Sequence, residues 1–258
     1  MAKRNVMLAD TWSEAVDPKG WLLSEKFNGR RLEWDGKLLK SSSGQVIKAP
    51  ASFLAELPPV PLDGEGWLGR GEGNLQDLGF FAADVPDPRK WARVKFVVFD
   101  LPDPDAGAFS ERWRIVQGLK LPSHVQLASY LECSGREQFE QVYEALVLEG
   151  AEGVMLRRPD NRYVRRRVGS LLKRKKFWDA EAVVVGHQPG ERACAGMLGA
   201  LQCRLDNGIE FEIGTGFTND ERRNPPPIGS RVQFRYQELS RDGKPIGSPS
   251  YQGVRPEE

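Results

Sequence analysis

Ser24-Glu25-Lys26-Phe27-Asn28-Gly29-Arg30-Arg31 is the stretch on which the reading of this chain turns. The apolar run from Trp21 into Glu25 predicts a strand that delivers Lys26 to a glycine turn. A second strand follows from Arg31 to Trp34 and closes at Asp35-Gly36. A lysine at a strand end before a glycine is common and carries no function by itself. Its weight comes from the motifs that succeed it along the chain.

Asp63-Gly64-Glu65 sits in the next predicted strand, Leu62 to Leu68. Phe99-Asp100 closes another, Arg93 to Leu101, rich in β-branched and aromatic residues and stopped by Pro102. Glu152-Gly153-Val154-Met155-Leu156-Arg157 reads as a strand start with a carboxylate beside a glycine. In Leu171-Leu172-Lys173-Arg174-Lys175 the two lysines stand at strand period and share a face. The ordered set is one lysine nucleophile, glutamates, an aromatic ring and further cations. Nucleotide transfer needs these parts: an amine to attack phosphorus, carboxylates to hold a divalent metal, a ring to stack on a base, and cations to neutralise phosphate oxygens.

Around these motifs the pattern predicts short helices. Ala49 to Leu57 ends at Pro58-Pro59. A helix from a Ser110 cap to Leu119 places Trp113, Val116 and Leu119 on one face. Ser134-Gly135-Arg136-Glu137 forms a capping box ahead of Phe139, Val142, Tyr143 and Leu146, with Gly150 as the stop. After Trp178 the character changes. Ala182 to Val185 is a strand. Leu201, Cys203 and Leu205, then Ile209, Phe211 and Ile213, then Val232, Phe234 and Tyr236 alternate with polar residues. Asp206-Asn207-Gly208 is a hairpin turn, and Pro225-Pro226-Pro227 a stiff connection. Such closely spaced strands predict a small β-barrel.

The chain has 258 residues and a formal charge of +1, with 28% charged and 40% hydrophobic residues, an ordinary globular composition. Its charge is uneven: Arg157 to Lys176 holds ten basic residues, opposed locally by Asp160 alone. Val164, Val168, Leu171 and Leu172 interrupt the block, so it belongs to folded structure, and a phosphate-bearing polymer is its natural partner. The apolar stretch after Lys3 and Arg4 is too short for a leader and no run approaches the ~18 residues of a membrane helix, so a cytoplasmic protein with no membrane partner is expected. Cys133, Cys194 and Cys203 form no C-x-x-C pair, and His124 and His187 no ligand motif, so all five are expected to be structural.

The ordered motifs resemble the covalent nucleotidyltransferase superfamily of DNA ligases, RNA ligases and mRNA capping enzymes, and within it the minimal ATP-dependent DNA ligases, bacterial E-type and small viral. Ser24 to Arg31 is similar to the K-x-D-G-x-R motif, Glu152 to Arg157 to E-G-V-M-L-R, and Arg167 with Leu171 to Lys175 to R-x-x-x-L-L-K-x-K. Gly196 to Ala200 and Ile213 to Phe217 resemble the ligases' OB domain. The resemblance implies an α+β fold: an adenylation domain of antiparallel sheets with flanking helices at residues 1–178, then an OB-fold barrel at 179–258. It implies ATP as cofactor, with AMP carried on Lys26, and Mg²⁺ or Mn²⁺ as metal. The partner implied is nicked double-stranded DNA, met by a monomer. Glu25, Arg31, Glu65, Phe99, Lys173 and Lys175 would bind the nucleotide. Glu152 and Glu65 would hold the metal. Arg30, Ser43, Arg157, Arg165, Arg167 and Arg174 would bind DNA. Two positions depart from the family: Asn28 replaces an aspartate, and Ser42 stands where relatives carry arginine. An RNA ligase or capping-type nucleotidyltransferase, or a catalytically silent nucleic-acid-binding protein, are the alternatives.

Overall fold

The computed structural model describes residues 5–70 and 77–255; Lys3 and Arg4 lie outside them. The chain divides into two compact units, Met1–Lys175 and Lys176–Glu258. The first runs in order β1 (Leu8–Thr11), β2 (Leu22–Glu25), β3 (Arg30–Trp34), β4 (Leu39–Lys40), α1 (Ala51–Leu54), β5 (Leu62–Trp67), α2 (Pro88–Trp91) and β6 (Lys95–Asp100). It continues with α3 (Phe109–Gln117), β7 (Val125–Leu127), β8 (Leu131–Glu132), α4 (Arg136–Leu148), β9 (Gly153–Arg157) and β10 (Arg167–Lys175). These strands form two five-stranded sheets, ordered β1-β10-β9-β2-β8 and β4-β3-β5-β6-β7.

Period-2 alternation decides what each sheet presents. In the first, Leu23, Val154, Leu156 and Leu172 pack on Phe139 of α4. Their strand neighbours Ser24, Met155, Leu171 and Lys173 face the other way, into a cleft. In the second, Phe96 and Val98 enter a core with Leu32, Phe53, Trp91 and Val116, while Phe99 turns to the cleft. Burying one such apolar side chain contributes roughly 1.5–3 kcal/mol, so these faces hold each sheet to its helices.

Several local expectations shift. Ala49 to Leu57 yields only the single turn α1, because Pro50 supplies the cap position and leaves no side-chain acceptor there. Ser110 is no cap: α3 starts at Phe109, and the Glu111 carboxylate accepts the Ala108 amide at 2.6 Å. At α4 it is Gln138, not Glu137, whose side chain reaches back, accepting from the Ser134 amide at 2.7 Å.

The second unit holds β11 (Trp178–Pro189), β12 (Leu198–Arg204), β13 (Glu210–Ile213), α5 (Asn219–Arg223), β14 (Arg231–Tyr236), β15 (Glu238–Leu239), β16 (Pro245–Ile246) and β17 (Ser250–Val254). The main sheet is ordered β13-β12-β11-β14-β17, and a parallel bridge from Thr215 to Ser250 joins its two ends into a barrel. Leu205 and Ile209 close the hairpin, and Gly208 turns at φ +86. Ala182, Val184, Leu201, Phe211, Val232 and Phe234 fill the interior. Arg222 of α5 donates to the carbonyls of Leu198, Gly199 and Gly214, tying helix to barrel. His187 contacts the Pro226 carbonyl at 2.8 Å, a structural use.

Candidate active site

The cleft between the two sheets of the first unit is lined by Ser24, Lys26, Phe27, Arg31, Glu65, Phe99, Tyr130, Met155, Arg167 and Lys173, among others. Lys26 follows the end of β2, where its amide donates to the Gly153 carbonyl at 2.9 Å. That bond continues the β2–β9 pairing by one step and sets Lys26 beside the residue preceding β9, Glu152. The Lys26 Nζ lies 2.5 Å from one Glu152 carboxylate oxygen, and the Lys175 Nζ lies 2.8 Å from the other. One carboxylate thus bridges two ammonium groups that are 149 residues apart in the chain. Burial alone would push the Glu152 carboxyl up, yet Lys26 and Lys175 carry it below the usual range.

Two glycines make these approaches geometrically feasible. A Cβ at Gly153, where φ is +150, would meet the Arg174 carbonyl at 2.0 Å and prevent β9 from lying against the end of β10. A Cβ at Gly29 would meet the Gly66 carbonyl at 2.4 Å and the Glu65 side chain at 2.7 Å. Only a bare backbone brings the turn after Lys26 so close to Glu65.

The opposite wall is built on β3, β5 and β6. Arg31 grips Asp63 through both carboxylate oxygens, at 2.5 and 2.6 Å, and Tyr163 donates to the same carboxylate at 2.8 Å. The Arg31 guanidinium also lies 4.6 Å from the Phe99 ring centroid. Burial opposes the charge on Arg31, but Asp63 more than offsets it and raises its pKa. Phe99 is half-buried and faces the cleft, so core packing does not account for it. Burial pushes the Glu65 carboxyl up to about 7, aided by Glu152 and Asp63 and opposed by Lys26 and Arg31. Burial, then Lys175, Arg167 and Lys26, push the Lys173 ammonium below its ordinary value. Glu25 lines the cleft along its backbone position, while its carboxylate is committed to Arg70.

Among the described residues no cluster of three or more His, Cys, Asp or Glu could hold a metal. A cation that keeps most of its water and takes oxygens from a nucleotide needs only one or two carboxylates. Glu152, bridged to Lys26 and Lys175, and Glu65, on the cleft wall, present carboxylate oxygens of the kind such a cation takes.

Two residues expected to bind DNA are turned elsewhere. Arg157 is 3% exposed and paired with Asp100, its guanidinium over the Phe109 ring; strand alternation sent it to the floor of the cleft. Arg174 points to the helix side of β10, bonds Glu140 at 2.6 Å and stacks 3.9 Å from the Tyr143 centroid. Arg165 is exposed and held by Glu33 at 2.6 Å; Arg167 is exposed beside the cleft and donates to the Ala9 carbonyl. Arg30 and Ser43 are half-buried, Ser43 sharing a 3.0 Å hydroxyl contact with Ser41. The basic block is therefore opposed by Glu33, Asp100, Glu140 and Glu152 as well as Asp160. Sequence reasoning missed Tyr130, Asp63 and Tyr163 as parts of the site. Asp63 was within view, in the run Asp63-Gly64-Glu65; no local signal marks the two tyrosines.

The chain is similar to several known proteins. The family described as DNA ligase OB-like domain matches residues 189–255. A DNA ligase of Haemophilus influenzae is 31% identical over 246 residues, covering 95% of this chain and 90% of that protein. The multifunctional non-homologous end joining protein LigD of Mycolicibacterium smegmatis is 28% identical over 97% of this chain, which spans 38% of LigD. A solved structure from a structure-function study of Lig E DNA ligases superposes with a TM-score of 0.86 at 32% identity, over 97% of this chain and 99% of that one. The Chlorella virus DNA ligase-adenylate shares the fold, with a TM-score of 0.54 at 24% identity over the full length of both chains. With such identity sustained along nearly its whole length, and with the lysine, carboxylate and cation set gathered in one cleft, the chain belongs to the family of minimal ATP-dependent DNA ligases.

Proposed function

We propose that the chain seals 5′-phosphate/3′-hydroxyl nicks in duplex DNA by way of AMP bonded to Lys26. The observation that carries this reading is the Glu152 bridge between Lys26 and Lys175 at the rim of a cleft that also presents Phe99, Glu65 and Arg31. The Lys26 Nζ, having given up a proton to solvent, attacks the α-phosphorus of ATP with its freed lone pair, an N–P bond forms, and the P–O bond to pyrophosphate breaks. AMP then passes to the 5′-phosphate at the nick as the N–P bond breaks. The 3′-hydroxyl attacks that phosphate, loses its proton, and AMP leaves. Activation is the logic: a phosphate monoester is a poor electrophile until AMP is its leaving group.

Each wall has a part. Phe99 offers a ring face to the base, Glu65 reaches the ribose, and Lys173 and Lys175 neutralise phosphate oxygens. Mg²⁺ held by Glu152 and Glu65 would supply charge neutralisation at the phosphates. Arg30, Ser43, Arg165 and Arg167 are offered to the DNA backbone, with little base readout. The Lig E ligases are described as binding DNA with a minimal scaffold, which supports this partner.

Mass spectrometry of the chain incubated with ATP and Mg²⁺ tests the first step. We expect a mass gain of one AMP, abolished by Lys26→Ala. Persistent absence of the adduct in the unaltered chain would sink the reading. Labelled nicked DNA and nicked RNA, offered in parallel, separate DNA sealing from RNA sealing.

A further inference from the structure

Arg70 lies just beyond the end of β5, on the second sheet's side of the first unit, and is not among the residues that line the Lys26 cleft. Its Nη2 and Nε hold the two carboxylate oxygens of Glu25 at 2.7 and 3.0 Å, and its Nη1 reaches Glu149. Glu25 immediately precedes Lys26. Glu149 stands at the C-terminal cap of α4, three residues before Glu152. One guanidinium therefore grips the chain next to the nucleophile and the chain leading to its bridging carboxylate, from a segment that continues the wall carrying Glu65.

We propose that Arg70 is a positioning residue that fixes Lys26 against Glu152 for self-adenylylation; this rests on the assignment of Lys26 as the nucleophile. The link from α4 to β9 is irregular, held by its own backbone bonds from Gly150 to Val147 and from Ala151 to Leu146. Gly150 turns at φ +90 and Gly153 at φ +150, and the link is tethered toward Lys26 by the 2.9 Å bond from its amide to the Gly153 carbonyl. The Arg70 Cβ lies 3.8 Å from where a Gly150 Cβ would stand, so the tie passes directly over this link.

Stability does not explain the outer half of the tie. The Arg70 and Glu149 side chains are 31% and 61% exposed, and ion pairs at such sites contribute little to folding, whereas the Glu25 carboxylate on the inner half is 13% exposed. A planar fork shared between two carboxylates fixes geometry more fully than a single ammonium does. A displacement of about 1 Å at reacting atoms can cost on the order of a hundredfold in rate.

The test is a double-mutant cycle on the full chain, reading the single-turnover rate of AMP attachment to Lys26 at saturating ATP, with the half-saturating ATP concentration and Tm alongside. Arg70→Ala should slow the saturating rate about tenfold while the half-saturating ATP concentration and Tm change little. Arg70→Lys should recover part of the rate. Glu149→Gln should slow it less, and the Arg70→Ala/Glu149→Gln pair should be no slower than Arg70→Ala alone. Additive losses overturn the tie, as does an Arg70→Ala rate within twofold of the parent, or a rate that falls only with the folded fraction. If the parent charges with AMP and the cycle is additive, the tie alone fails. A parent that takes no AMP overturns the Lys26 assignment and the tie with it.

Discussion

At the scale of single residues, the site holds its charges at a cost to folding. Glu65 binds its proton up to about pH 7 in the folded protein, while the unfolded chain releases it near an ordinary glutamate value of roughly 4.3. Between those values the folded state holds the extra proton, so stability falls as pH rises through that window and the full cost stands above it. Glu65→Gln should therefore raise stability by about 2 kcal/mol at pH 8 and change it little at pH 4. Urea titrations at the two pH values decide this, and an equal difference at both would show that charge burial is not the cause. Asn28→Asp should still form the AMP adduct and change mainly the metal dependence of sealing, read by titrating Mg²⁺ in a nick assay. Failure of that variant to take AMP would mean position 28 serves the first step. That Lys26, Glu152, Lys173 and Lys175 would come near one another was legible from the short motifs that carry them, and strand period gave Lys173 and Lys175 a shared face. The commitment of Glu25 to Arg70 was not, since nothing local in either segment encodes a contact 45 residues away.

At the scale of elements, the buried ion cluster joining β6, α3 and β9 is the clearest feature that the sequence concealed. Asp100 is fully buried and accepts from Arg112 at 2.9 and 3.1 Å and from Arg157, while Arg112 also donates to the Asn161 and Gly107 carbonyls at 2.8 Å. The periodicity of α3 located its apolar face through Val116 but gave no sign that Arg112 would be buried beside it. Charge counting likewise assigned Arg157 to the surface, because a count of basic residues carries no information about faces. Asp100→Asn leaves two buried guanidiniums without their counter-charge and should cost about 3–5 kcal/mol, measured as a lower urea midpoint at unchanged m. A loss below about 1 kcal/mol would mean that water enters to replace the carboxylate. The β-strands themselves were largely legible from alternation. Helix starts were not, because capping depends on which of several neighbouring polar side chains reaches back, as Gln138 does in place of Glu137.

At the scale of the whole molecule, the basic segment that suggested a nucleic-acid partner is divided in purpose. Arg165 and Arg167 are exposed, whereas Arg174 is spent on α4 through Glu140 and Tyr143. Replacing Arg165 or Arg167 with Gln should each lower the slope of log affinity for nicked duplex against log salt by about one. Arg174→Gln should leave that slope in place and lower Tm instead. A slope that drops with Arg174→Gln would return that residue to the DNA face. The first unit also closes on itself late. Its N-terminal strand β1 pairs in parallel with β10, Leu8 against Arg167 and Thr11 against Lys173, and Lys175 ends the same strand. During synthesis, Lys26 leaves the ribosome long before the cations and the carboxylate that complete its surroundings. A chain that ends before β10 lacks Arg167, Lys173 and Lys175 and leaves the edge of β9 unpaired, so such a truncation is expected to take up no AMP at Lys26, a mass measurement on the shortened chain being the check.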